Sequence, residues 1–111
     1  MIVADVEPEC VVVLCTAPPD AAQRLARGVV DEQLCACVNV LPAVRSFFRW
    51  EGRVDEAEES LLVAKTTAAR FGALRDRLTE LHPYDMPEVI ALDVRDGLPS
   101  YLSWVSDSVQ E

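Results

Sequence analysis

Residues 36–52, ACVNVLPAVRSFFRWEG, read as one extended strand running into a Glu51-Gly52 turn, and that strand is far longer than so small a protein needs for its own sheet. Ala36, Val38, Val40, Val44, Phe48 and Trp50 share one parity, and Cys37, Asn39, Leu41, Arg45, Phe47 and Arg49 share the other. Pro42 interrupts the ladder, so a bulge or an edge position is expected there, with the faces slipping by one residue beyond it. Phe47, Phe48 and Trp50 together supply more aromatic area than one solvated hairpin arm should carry. The expectation is an interface, with another copy of the same chain as the partner.

A chain of 111 residues is expected to form one domain with a modest core, which burial shared between subunits would enlarge. The formal charge of -9 argues against nucleic acid, whose binders cluster Lys and Arg to displace counterions. Cations and neutral protein partners suit this surface better. No apolar run approaches the roughly 20 residues of a membrane helix. MIVADVEPE lacks the basic start and hydrophobic run of a signal peptide, so a cytoplasmic address is expected. Cys10, Cys15, Cys35 and Cys37 lie in the first third of the chain and would be thiols in that compartment. The Cys35-Cys37 pair has no matching second pair, which leaves a four-cysteine zinc site without support.

Cys10 to Thr16, CVVVLCT, has the near-continuous β-branched apolar pattern of a central strand, ended by Pro18 and Pro19. Asp20 is placed to cap a helix, with Gln23 completing a capping box, and Ala22, Leu25, Ala26, Val29, Val30 and Leu34 form its apolar stripe. After the turn, Val54 to Glu59 is acidic, and Ser60 to Thr67 forms a further strand bringing Lys65 to its end. Thr66 or Thr67 caps a second helix with Phe71, Leu74, Leu78 and Leu81 on one face, stopped before Pro83. Glu88 to Val94 is the last strand. A short helix follows Gly97 and Pro99, with Tyr101, Leu102, Val105 and Val109 near one face.

The order β-α-β-β-α-β plus a C-terminal helix is the α+β, ferredoxin-like split βαβ plan, with both main helices on one face of a four-stranded antiparallel sheet. The other face is left bare, and because the strands are apolar on both parities it is expected to be buried by closed, symmetric self-association.

The motifs VVVLCTAPP, ACVNVLP, RSFFRWEG, LLVAKTT, HPYDMPEVIAL and YLSWV, in that order over roughly residues 10–107, resemble the CutA family of divalent-cation tolerance proteins. The resemblance implies a homotrimer built by the long second and third strands. It also implies a cytoplasmic role in tolerance of copper and other divalent ions, and a likeness in shape to PII signalling proteins. Copper or mercury binding in the family is associated with positions that match Cys15, Cys37 and His82; Cys10 and Cys35 fall outside that pattern.

Two thiolates and an imidazole suit copper or zinc over hard cations. Spacing neither confirms nor excludes the site: the fold places Cys15 and Cys37 on strands with another strand between them, which leaves contact within one subunit open to failure on distance and a neighbouring subunit as a further source of donors. The alternative reading makes both cysteines small buried hydrophobes, and makes His82, at the end of the second helix, a partner for terminal carbonyls. Pro83 and Pro87 stiffen the loop that presents Tyr84 and Glu88.

Trp50, Lys65, Tyr84, Asp85, Glu88 and Trp104 form a candidate intersubunit cleft that would hold a small anion through Lys65 or a metal through Glu88. The bland counterpart is a structural Lys-Glu pair with stacked aromatics. The acidic run Asp55, Glu56, Glu58 and Glu59 lacks calcium-loop spacing and reads as a solvated face. Copper binding without catalysis is the leading function, no metal being required for the fold. A PII-like module with a small ligand or a protein partner in the cleft is the alternative. An enzyme would need Cys15 and His82 as nucleophile and base within hydrogen-bond reach.

Overall fold

In the computed structural model, which describes residues 9–110, the elements are β1 (Cys10–Ala17), α1 (Pro19–Asp31), β2 (Cys37–Trp50), β3 (Arg53–Thr67), α2 (Ala68–Leu81), β4 (Ile90–Asp93) and α3 (Pro99–Ser108). The N-terminal stretch read as unlike a signal peptide lies, but for Glu9, outside the described residues. The sheet order is β2-β3-β1-β4 with every neighbouring pair antiparallel, the split βαβ arrangement.

Alternation along β1 and β3 divides the sheet. Val11, Val13, Cys15 and Ala17 point into the core with Leu62 and Ala64, beneath Ala22, Leu25, Ala26 and Val29 of α1 and Leu74 and Leu78 of α2. On the opposite parity, register aligns Asn39, Val63, Leu14 and Ile90 in one row and Cys37, Lys65, Val12 and Leu92 in the next. α3 covers only one end of this second face, where the Cys10 thiol donates to the Leu102 carbonyl at 3.7 Å and Val105 is buried. Ile90 and Leu92 stay 47% and 51% exposed, so the rest of the face is apolar and uncovered.

Thr67 caps α2 as expected, its hydroxyl accepting from the Arg70 amide at 3.2 Å. The capping box at Asp20 and Gln23 does not form. Pro18 takes the cap position without a side-chain bond, and Asp20 sits inside the first turn, where its carboxylate complements the helix dipole. α1 also stops at Asp31, so Val30 turns outward and Leu34 packs from beyond the helix end. β4 is shorter than the Glu88 to Val94 strand read from sequence.

β3 is longer than the hydrophobic pattern suggested, because it includes the acidic run and pairs with β2 down to Trp50 and Arg53. A two-residue turn at Glu51 (φ 49°) and Gly52 (φ 80°) joins them, the left-handed pair that a tight hairpin requires. The bulge falls between Leu41 and Val44, with Ala43 at φ 63°. β1 ends opposite Ser60, so Arg53–Glu59 and their β2 partners project as a two-stranded arm about 20 Å long. Phe47 and Trp50 on that arm are 65% and 53% exposed.

Candidate functional site

α2 ends where Pro83 forbids continuation, and His82 caps it with extended backbone, its amide still bonded to the Leu78 carbonyl. The ring is thereby delivered to the end of β1. Its Nε2 lies 2.8 Å from the Thr16 carbonyl oxygen, so that nitrogen bears the proton and donates. Its Nδ1 accepts from the Tyr84 amide at 3.1 Å. The tautomer is fixed and both ring nitrogens are engaged.

The Cys15 thiol converges on the same Thr16 carbonyl, at 3.7 Å. It is 1% exposed, and burial, with the nearby carboxylates of Glu88 and Glu59, pushes it up to about 12. It is a neutral thiol at physiological pH. The nucleophile and base of an enzyme are not assembled here, since the nitrogen that shares a carbonyl with the thiol already carries a proton.

Beside this pair, Tyr84 stacks on His82 with ring centroids 4.8 Å apart and donates its hydroxyl to Glu59 Oε2 at 2.8 Å. Burial, then the bond to Glu59, raises the Tyr84 phenol to about 12. Glu59 is buried, which corrects its reading as part of a solvated acidic face; Asp55, Glu56 and Glu58 remain exposed. The sequence signal for Glu59 was its position directly before the apolar run SLLVA, at the place where β1 ends and the arm begins.

Cys37 is elsewhere. It pairs with Lys65, which faces Val12, so it occupies the uncovered face while Cys15 points into the core. The two positions are also three residues out of step along the sheet, about 10 Å, and separated laterally by β3. The structure thus brings Cys15 and His82 together and leaves Cys37 apart. Within one subunit these residues do not make a three-ligand copper site, and among the described residues no three His, Cys, Asp or Glu side chains gather as metal ligands. Cys35 is a core thiol, also raised to about 12 by burial and then by Cys37.

The cleft residues are spread along the subunit as well. Trp50 is at the arm tip, about 40 Å along β3 from Lys65. Lys65 lies near α3 and donates to Asn39 Oδ1. Trp104 lies on α3, its ring 5.5 Å from that of Tyr101, whose phenol is raised by burial and by neighbouring Cys37 and Cys10. Tyr84 and Glu88 flank Cys15, and Asp85 is exposed.

A split βαβ sheet, an arm outrunning its own body and an uncovered apolar face define a ferredoxin-like domain elaborated by its second and third strands. Residues 11–108 match the family model described as CutA1 divalent ion tolerance protein. The divalent-cation tolerance protein CutA of Thermus thermophilus is 43% identical over 98 residues, covering 87% of this chain and 95% of that protein. The crystal structure of CutA1 from Oryza sativa superposes with a TM-score of 0.91 at 40% identity, covering 95% of this chain and 97% of that one. A Nostoc structure, described as the PII-like protein CutA in apo form, superposes with a TM-score of 0.86 at 33% identity, covering 90% and 97%. The chain belongs to the CutA family of divalent-cation tolerance proteins.

Proposed function

We propose that the chain works as a homotrimer in divalent-cation tolerance and that copper is the ion its donors select. The observation that carries the assembly is the uncovered apolar face, continuous with an arm that a single subunit does not support. Two-stranded hairpins are marginal in water, and Phe47 and Trp50 need a surface to cover them. Three-fold closure rests on the family resemblance. Copper rests on donor chemistry: the adjacent Cys15 and His82 are the pair within a subunit, and Cys37 is the half-buried thiol that a neighbouring chain would have to bring near. Four free cysteines and a tolerance role fit a reducing, cytoplasmic address. No described helix is long and apolar enough to cross a membrane.

Native mass spectrometry of reduced protein tests both parts at once. The expected spectrum is a trimer holding one tightly bound copper per chain, with occupancy falling in Cys15→Ser, His82→Gln and Cys37→Ser. A monomer would sink the assembly, and a trimer indifferent to copper would sink the metal.

A second reading, a PII-like module holding a small anionic ligand, is favoured by a cavity of about 230 Å³ beneath α3, walled by Cys10, Val12, Tyr101 and Leu102 with Lys65 at its edge. Trp50, Tyr84, Asp85, Glu88 and Trp104 would join such a site only across subunits. This reading expects a small molecule that copurifies with the trimer and is lost in Lys65→Met; retention of that molecule by the variant would count against it.

A further inference from the structure

The Cys15 thiol belongs to the helix-side core, and the short segment that follows α2 comes against it at the end of β1. That segment is tied down at consecutive points. His82 Nε2 donates to the Thr16 carbonyl, the Tyr84 amide donates back to His82 Nδ1, and the Tyr84 hydroxyl reaches Glu59 at the root of the arm. The two rings stack, and Pro83 and Pro87 limit how the backbone between and beyond them can move. Cys15 and His82 share one carbonyl, and Glu88 and Glu59 lie close enough to act on the thiol, so both ends of the segment sit beside it.

We infer that residues 82–88 form a latch over Cys15, held by the His82–Thr16 and Tyr84–Glu59 hydrogen bonds, and that opening this latch is what exposes the thiol to soft ions or electrophiles. Any ligand seeking His82 meets the same requirement, since neither ring nitrogen is free while the latch is closed. The Tyr84–Glu59 bond joins a buried carboxylate to a phenol that is 38% exposed, so its loss would leave the buried acceptor without this partner. The inference does not depend on copper binding.

The molecule contains its own control. Cys35 is as buried as Cys15, each 1% exposed, and both thiols sit about 12, but no latch residue bonds near Cys35. Alkylation by a small maleimide, followed residue by residue with peptide mass spectrometry on the reduced, assembled protein, separates local opening from unfolding. In the unaltered chain Cys15 and Cys35 are both expected to react slowly. In Tyr84→Phe, and separately in His82→Ala, Cys15 labelling is expected to accelerate by about tenfold while Cys35 stays at its original rate. Parallel acceleration of Cys15 and Cys35 would mean general destabilisation and would overturn the latch. So would an unchanged Cys15 rate in both variants, or a Cys15 that reacts far faster than Cys35 before any substitution.

Discussion

Val63→Lys is expected to turn the assembled protein into folded monomers. Val63 sits mid-sheet on the uncovered face, in the row Asn39, Val63, Leu14 and Ile90. In one subunit a lysine there can extend into water, so the core beneath α1 and α2 is untouched. In an assembly that buries this face, every copy would carry an unpaired ammonium into an apolar contact, at a cost of about 3–5 kcal/mol per subunit. Sedimentation velocity checks the outcome: the variant should run at monomer mass at concentrations where the unaltered chain is expected to run as a trimer, with a helical circular dichroism signal of similar size. Val30→Lys is the matched control, because Val30 is partly exposed on the helix side and its change should leave the assembly whole. A Val63→Lys trimer of ordinary stability would show that this face is not the interface.

Alkaline pH is expected to unfold the protein through two buried thiols. Cys15 and Cys35 both rise from 9.0 to about 12, chiefly by burial, so between those limits the unfolded chain has released protons that the folded chain retains. A group whose folded pKa is raised contributes stability that is intact below its unfolded value and is lost as pH climbs through the folded one. The window is therefore pH 9 to 12, and the loss is on the order of 1.4 kcal/mol per pH unit for each thiol. Two pH units acting on both thiols bring the loss to about 5 kcal/mol, comparable with the whole stability of many domains. Urea unfolding at pH 8, 9, 10 and 11 under reducing conditions should show the decline, and Cys15→Ala/Cys35→Ala should flatten it. An equally steep decline in the double variant would assign the effect to other groups.

The sheet was legible in the sequence wherever alternation had a buried face to enforce it. The apolar runs of β1 and of β3 from Ser60 onward fixed strand identity, and Thr67 and Pro83 bounded α2 by cap and stop chemistry that needs no tertiary context. Less of the arm could be read, because Arg53–Glu58 faces solvent in the subunit, where cross-strand pairing and not burial keeps it extended. Local signals misled at Asp20: two prolines already supplied the fixed φ that starts α1, leaving no role for a side-chain cap.

At the site, donor identity could be read but not sidedness. Whether Cys15 and Cys37 share a face depends on pairing through β3, which neither residue's neighbours encode. Glu59 was hidden by the charges around it, since one residue decides between the open arm and the covered sheet. His82 was visible as a helix terminus, and the two bonds that occupy its ring come from Thr16 and Tyr84 once the chain has closed on itself.

The extra residue at Pro42 and Ala43 shifts the phase of β2. Before it, the odd-numbered Cys37, Asn39 and Leu41 lie on the uncovered side; after it, the even-numbered Val44, Ser46, Phe48 and Trp50 do, because their β3 partners keep a single alternation throughout. One strand thus serves two environments with opposite reading frames, and Phe48 and Trp50 reach the same surface as the sheet below while Phe47 takes the other. Were the same residues paired in an unbroken ladder with no bulge, Phe48 and Trp50 would fall on the helix side and Phe47 on the other, while every individual side chain remained chemically intact.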